Sequence, residues 1–494
     1  MSQKKVFVSE RGVNTAASFL TVPFLRKAGM SILDRQIRKR MKNDNLNKIP
    51  PMMINDRAQM LHNILKTADK WLSSKHVTKK HFKRTFSSFA PMISEEPKQR
   101  IKAFQEEFGY IPPRFLTLSP TKRCNLKCTG CYAASSRDTD ITLDFDTVNH
   151  ILNDQKELWG SHFTVISGGE PFLYKSQGKN LLDIFEAHPD RFFLVYTNGT
   201  CITKEVAKRM GELGNVTPSI SVEGYEAETD ARRGEGVHKK ILQAFENLTE
   251  AGVIYGISIT ATNKNSELVL SDEFIDYYFN KHGVYYGWIF QYMPIGRSFS
   301  LDLMVSPEQR FEMLKRMRYW IGEKEIFLAD FWNSASITNG CLSAGKRGGY
   351  IYIDWNGNCM PCVFNPYTTD NVKEVYARGG NLNDVIMSPF MKKIREWQDN
   401  YFKDDPDGPR GNMLVPCPIR DHHWDMRKII DETNANPADE NAADALEDKA
   451  YYQGMCDFGH AMDDISRDMW EKEFLGRTAE TESPQRKTRE KISI

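Results

Sequence analysis

Between residues 114 and 300 the chain alternates two hydrophobic rhythms. Short apolar runs fall at 114–118, 163–166, 192–196, 217–222, 256–262 and 286–291. Between them lie stretches with apolar residues at helical spacing, for example 144–158 and 239–251. Strands alternating with helices predict a parallel sheet with helical crossovers, hence an α/β fold. Ahead of this region the period is helical: Met60, Leu61, Ile64, Leu65, Ala68 and Leu72 mark a helix within 56–90. A second helical pattern sets Met30, Ile32, Leu33, Ile37 and Met41 among Arg35, Arg38, Lys39, Arg40 and Lys42. Behind the sheet region, residues 350–354 alternate and run into Asn356-Gly357, a hairpin signal. A Pro/Gly/Asp loop is expected over 404–412 and a solvated acidic linker over 431–448. A short helix is expected over 463–474 and a disordered polar tail over 477–494.

Charge sharpens the reading of the N-terminal part. The whole chain carries +1, yet residues 1–90 hold 19 Lys and Arg against 5 Asp and Glu. Such asymmetry points to an anionic partner. A basic amphipathic helix at 30–42 can lie in the interface of an anionic membrane, where each basic residue contributes about 1 kcal/mol. A solvated face packed on the α/β part and an organellar targeting peptide are the competing readings. Nucleic acid ranks lower, because no groove-reading motif accompanies the charge. No segment has the ~18 apolar residues of a spanning helix. The nearest, 16–25, contains Pro23 and stops at Arg26-Lys27.

Nine cysteines in 494 residues are sparse and odd in number, and no secretory signal is visible. A disulfide framework is not expected, and a reducing cytoplasm is. Three of the cysteines stand apart: Cys124, Cys128 and Cys131 have C-x3-C-x2-C spacing, followed at once by Tyr132. Structural zinc sites close with four protein ligands, and no fourth is near. Cysteines at short fixed spacings also hold iron–sulfur clusters. This motif resembles the signature of the radical S-adenosylmethionine superfamily. The resemblance implies a [4Fe–4S] cluster on Cys124, Cys128 and Cys131, with one open iron that takes S-adenosylmethionine. It further implies reductive cleavage of that cofactor to a 5′-deoxyadenosyl radical, fed by an external flavodoxin- or ferredoxin-type electron donor.

The same resemblance implies a partial (β/α)6 barrel, with its chemistry at the C-terminal ends of the strands. Gly168, Gly169 and Glu170, after the second strand, match the family's methionine-side motif; Glu170 would place negative charge near the substrate's ammonium. Thr197 and Asn198 end the third strand, where an ordinary turn competes with a binding role. Ser219 and Ser221 lie on the fourth strand, where the family places polar contacts to the cofactor. Arg233 resembles its carboxylate-binding arginine, with Arg232 the neighbouring choice. No catalytic side chain beyond these is implied.

A second set follows: Cys341, Cys359, Cys362 and Cys417, expected as a four-ligand cage. Gly357 stands between Cys341 and Cys362 at C-x15-G-x4-C spacing. That resembles the SPASM extension or its shorter twitch relative, and implies an auxiliary [4Fe–4S] cluster, with four-cysteine zinc as the alternative. No later dense cysteine run completes the full pattern. Cys201 reads as a packed residue, and Cys456 has no assignment.

The expected organisation is 1–100 basic and helical, 101–300 barrel, 301–425 auxiliary-cluster domain, and 426–494 linker, helix and tail. The expected activity is radical modification of an organic substrate, with peptide or protein ahead of a lipid or lipid-linked molecule at a membrane surface. A non-catalytic iron–sulfur electron-transfer or scaffold protein is the third reading.

Overall fold

The computed structural model describes residues 22–43, 49–405, 408–409 and 411–477. All but the first residue of the expected tail at 477–494, and the first residues of the basic region, therefore lie outside the described residues. So does part of the 404–412 loop, whose described ends pair as a short hairpin.

Among the described residues, four α-helices precede the sheet: α1 (Pro23–Asn43), α2 (Pro51–Leu72), α3 (Lys79–Phe89) and α4 (Glu95–Phe108). The single helical stretch expected at 56–90 is thus two helices. The hydroxyl of Thr78 restarts the helix by accepting a hydrogen bond from the His81 amide at 3.2 Å, an N-cap.

One sheet then carries the chain. Its strands are β1 (Leu116–Leu118), β2 (Phe163–Ile166), β3 (Phe192–Thr197), β4 (Val216–Val222), β5 (Gly256–Ala261) and β6 (Tyr286–Gln291). They continue as β7 (Leu328–Asp330), β8 (Tyr352–Ile353), β9 (Asn358–Met360) and β10 (Asp370–Asn371). The spatial order is β10-β9-β8-β1-β2-β3-β4-β5-β6-β7. Strands β1 to β7 run parallel in sequence, and β8 pairs parallel with the free side of β1. The six expected strands are all present; β7 and β8 extend the row to eight parallel strands. Both lie beyond residue 300, so the sheet runs across the expected domain boundary. The edges β7 and β8 are not paired with each other. Aromatic rings span the gap instead: Tyr350 stacks on Phe115 at 4.8 Å and meets Phe331 edge-on at 6.5 Å.

Crossover helices cover the outside, among them α5 (Phe145–Trp159), α6 (Lys204–Leu213), α7 (Glu226–Arg233), α8 (Val237–Glu250) and α9 (Pro307–Gly322). Outward strand residues such as Leu116, Leu118 and Ile166 are fully buried against them with Ile151 and Trp159. The N-terminal helices close the other end of the sheet. Along α2, Asn63 donates to the carbonyls of Ile321 and Ile326, and Lys70 to those of Phe279 and Val284. Trp71 donates to Gly252 at 3.1 Å. These carbonyls lie just before the strands begin, so α2 spans the N-terminal end of the barrel. Helix α1 stacks on α2 through Arg26–Asp69 at 2.5 Å and Asp34–His62 at 3.2 Å.

The expected acidic linker at 431–448 is folded: its acids such as Glu432, Glu440 and Asp444 are exposed, but its apolar side is packed. Helices α10 (Pro389–Tyr401), α11 (His423–Thr433), α12 (Glu440–Glu447) and α13 (Lys449–Met469) pack on the rest of the chain. Ala442, Ala445, Tyr451, Met455, Phe458 and Met462 are buried. Their helical spacing was masked by the acids between them. The helix expected at 463–474 is the end of α13 and the turn after it, and Cys456 is packed within α13. Among the described residues, no helix is long and apolar enough to cross a membrane.

Candidate functional site

The loop after β1 carries Cys124, Cys128 and Cys131, and three neighbours fix its backbone. Arg297, just beyond β6, donates from its side chain to the carbonyls of Cys128 (3.1 Å) and Ser135 (2.5 Å), and from its amide to Cys131 (2.9 Å). The glycines after β2 lie edge-on against the same loop: Gly169 N donates to Thr121 O at 2.9 Å, and Glu170 N to Arg123 O at 2.8 Å. A side chain on Gly169 would put its Cβ 2.2 Å from Arg123 O, and on Gly168, at φ +124°, 2.6 Å from Thr121 O. Only glycine permits this approach. Tyr132 completes the clasp, its hydroxyl accepting from Gly168 N at 3.1 Å.

Glu170 is fully buried, and its carboxylate accepts from the Thr197 hydroxyl (2.7 Å), the Asn198 amide (2.8 Å) and the Phe172 amide (3.2 Å). Burial raises its pKa against these hydrogen bonds. It sits behind Thr197 and Asn198 rather than on the cavity wall, so its place is to tie the ends of β2 and β3 together. This differs from the ammonium contact expected of it. Asn198 turns the other way, donating to Asn125 Oδ1 at 2.9 Å and reaching Cys124 Sγ at 3.9 Å.

Both candidate arginines reach the loop. Arg232 and Arg233 share the buried Glu223 at the end of β4: Arg232 Nη1 lies 2.6 Å and Arg233 Nε 2.8 Å from Oε1. Two cations on one carboxylate leave a net positive charge beside Cys128. Burial raises the Cys128 thiol's pKa, and the arginines oppose that rise. Burial pushes Cys124 up to about 12. Ser221 meets Ser258 at 3.2 Å on the inner wall, whereas Ser219 is buried deeper with no hydrogen-bond partner.

These groups open on a cavity of about 480 Å³ inside the barrel, lined by Cys124, Cys128, Cys131, Gly168, Gly169, Thr197, Asn198, Ser221, Arg232 and Arg233. Cys341, Cys362 and Cys417 line the same cavity. Cys341 donates to Ser343 Oγ at 3.2 Å, and Tyr350 OH lies 2.9 Å from Cys362 Sγ. A hydrogen bond between Cys341 and Cys417 shifts the first thiol down and the second up. The Cys417 loop is anchored by Asp421, which accepts from the Cys417 amide at 3.1 Å and pairs in the core with Arg310 at 2.5 Å. Cys359 does not join this set. It is buried off the cavity, 3.6 Å from Gly357 O and near Asp354 and Asp370. Cys359 lies in β9, which ends at Met360; the chain then bends at Pro361, and Cys362, beyond the strand, lines the cavity.

A family model described as the Radical SAM superfamily matches residues 118–267. Mycofactocin maturase MftC of Mycolicibacterium smegmatis is 34% identical over 319 residues, covering 62% of this chain and 78% of that protein. The chain belongs to the radical SAM superfamily. Fe-coproporphyrin III synthase of Methanosarcina barkeri is 31% identical over 147 residues, 29% of this chain and 36% of that protein. In fold, this radical SAM enzyme is similar to Streptococcus suis SuiB bound to its precursor peptide SuiA. That likeness has a TM-score of 0.51 at 16% identity, over 65% of this chain and 74% of that one. The family uses a [4Fe–4S] cluster and S-adenosylmethionine. The cysteine loop fits such a cluster: three sulfurs on one clasped loop face a cavity, with cationic arginines beside them. Among the described residues, no three His, Cys, Asp or Glu are gathered as a single metal ion requires; a cluster instead binds each ligand at a different iron.

Two residues of this radical SAM enzyme escaped the sequence reading. Arg297 had no motif to mark it beyond its place after a strand end. Arg420, three residues after Cys417, is fully buried, and none of its three guanidinium nitrogens has a hydrogen-bond partner. It stacks on Trp332 at 4.7 Å and Phe458 at 4.8 Å. Burial pulls it down to about 9, and the neighbouring Arg310 adds to the fall.

Proposed function

We propose that this enzyme modifies a substrate seated between its two cysteine sets, with Cys124, Cys128 and Cys131 holding the reactive cluster. One observation carries the reading: both sets line a single cavity at the C-terminal ends of the strands. When bound, the cluster and S-adenosylmethionine supply a 5′-deoxyadenosyl radical for hydrogen abstraction or addition. The protein's contribution is to bind and orient. Gly168 and Gly169 offer backbone to the cofactor's methionine end. Arg232 and Arg233 meet its carboxylate, Glu223 keeping their net charge modest. Thr197, Asn198 and Ser221 supply polar contacts, and the apolar wall below excludes water from the radical's path.

Cys341, Cys362 and Cys417 hold the second [4Fe–4S] cluster in this proposal, and Cys359 is left out. Arg420 supports it. A buried guanidinium without partners is costly, and a thiolate-ligated cluster beside Cys417 would supply the missing negative charge. In the proposal an external flavodoxin- or ferredoxin-type donor feeds electrons from the cytoplasm.

Peptide or protein modification is the first substrate reading, supported by the maturase name of the relative and the precursor peptide bound to SuiB. A lipid or lipid-linked substrate is the second, favoured by the basic α1 and the apolar wall. The test is anaerobic. Reconstituted protein is expected to carry about eight irons per chain and to form 5′-deoxyadenosine from S-adenosylmethionine under reduction. No 5′-deoxyadenosine from fully loaded protein would leave the electron-transfer or scaffold reading standing.

A further inference from the structure

The cavity does not end at the cysteines. It continues down the barrel between alternate residues of the strands, past Phe115, Val165, Leu194, Trp288 and Phe327, to Met60 and Ile64 of α2. Phe163 to Gly168 is five residues of extended chain, on the order of 17 Å. Ile64, which lines this end of the cavity, is itself 38% exposed on α2. Close by, Leu61 is 37% exposed, and on α1 Leu33 and Ile32 are 44% and 57% exposed. The Asp34–His62 pair sets Leu33 level with Leu61. Lys27, Arg35, Lys39 and Arg40 are exposed on α1.

We propose that the lower lumen holds the hydrocarbon chain of an anionic lipid or lipid-linked substrate, entering from a membrane surface on which α1 rests. The inference rests on the cavity being the reaction site, and names what fills its lower half. Two arguments favour a lipid over a threaded peptide. A peptide brings an N–H and a C=O with every residue, and each needs a partner when buried. The lower lumen offers few: beside its apolar side chains stand Thr117, in register with Val165, Tyr196, and Trp288, whose Nε1 is an unpartnered donor. The second argument is charge: exposed cations flank exposed apolar residues on α1, the pattern of helices that lie in anionic interfaces.

The test uses full-length protein and two measurements. In flotation at low salt, binding to phosphatidylglycerol vesicles is expected to exceed binding to phosphatidylcholine vesicles at least tenfold. An Ile32→Ser/Leu33→Ser variant is expected to lose most of that preference. In fluorescence, phosphatidylglycerol brominated along its acyl chain is expected to quench tryptophan emission, and Trp288→Phe to remove that quenching while leaving the melting temperature unchanged. Equal binding to both vesicles overturns the docking surface. Quenching that survives Trp288→Phe, or that a brominated apolar peptide produces and the lipid does not, overturns the lumen assignment. Formation of 5′-deoxyadenosine without vesicles is read separately, so failure of the radical chemistry is not confused with failure of lipid binding.

Discussion

The two cysteine sets face one cavity but are built in opposite ways. Cys124, Cys128 and Cys131 lie within eight residues of one loop, held by Arg297 and by the glycines after β2. Cys341, Cys362 and Cys417 come from three segments spanning 77 residues, brought together by β8, the hairpin after it and the Arg310–Asp421 pair. The first set is a local motif that tertiary contacts merely steady. The second exists only once the fold is complete. Hence the second set is the one more exposed to packing changes elsewhere, and the one where spacing alone misleads.

The largest expected effect separates the sets outright. Cys128→Ala should abolish 5′-deoxyadenosine formation and lower iron from about eight to about four per chain, with the second cluster's electron paramagnetic signal retained. Cys417→Ala should also leave about four irons, but with the signal change on adding S-adenosylmethionine intact. If either variant kept all its iron, the assignment of that set would be lost. Cys359→Ala sharpens the contrast. Iron content should stay unchanged, and the cost should be that of trimming a small buried side chain, about 1 kcal/mol in a denaturant melt.

Next comes the clasp. Gly169→Ala drives a methyl into the Arg123 carbonyl. Because that carbonyl belongs to the residue before Cys124, the loop must move. Affinity for S-adenosylmethionine is expected to fall about 10- to 100-fold, the range seen when groups supporting a metal site are disturbed. Titration calorimetry on loaded protein measures it. A fall smaller than threefold would mean the glycine contact does not set the loop's position.

The same contrast explains what the chain revealed before its structure was known. The first set, the glycines and the six central strands were legible because each is a local pattern: a fixed spacing, a turn that needs glycine, a buried run between helices. Cys359 was misplaced because spacing cannot say where a strand ends: Cys359 stays within β9, whereas Cys362 lies past the bend at Pro361. Strand β8 was legible as part of a hairpin but not as a partner of β1, since pairing across more than 200 residues leaves no local trace. The packed helix α12 was hidden by composition: acids are frequent over 431–448, while its few buried positions, Ala442 and Ala445, are small. Glu170 was expected to meet ligand; its carboxylate is engaged by Thr197, Asn198 and Phe172, contacts between β2 and β3 that no local pattern marks.

The smallest expected effect probes the charge balance of the second set. Arg420 is a buried cation whose nearby carboxylates are already engaged: Asp421 is paired with Arg310, and burial raises the pKa of Asp330 toward its neutral form. Without iron, Arg420 costs stability, and a well-packed apolar residue of similar length should do better. Arg420→Met is therefore expected to stabilise iron-free protein by about 1–4 kcal/mol, as when buried charges are replaced by apolar side chains. With the cluster bound, the sign reverses. The guanidinium favours the more negative, reduced cluster, so its loss should lower the second cluster's midpoint potential. A tenfold shift in that one-electron equilibrium corresponds to ~59 mV, a size that redox titration of the paramagnetic signal resolves. The first cluster's potential should hardly move, since the shift belongs to the set that Cys417 helps to build. A variant that destabilised the iron-free chain and left both potentials in place would reduce Arg420 to a packing residue stacked on Trp332 and Phe458.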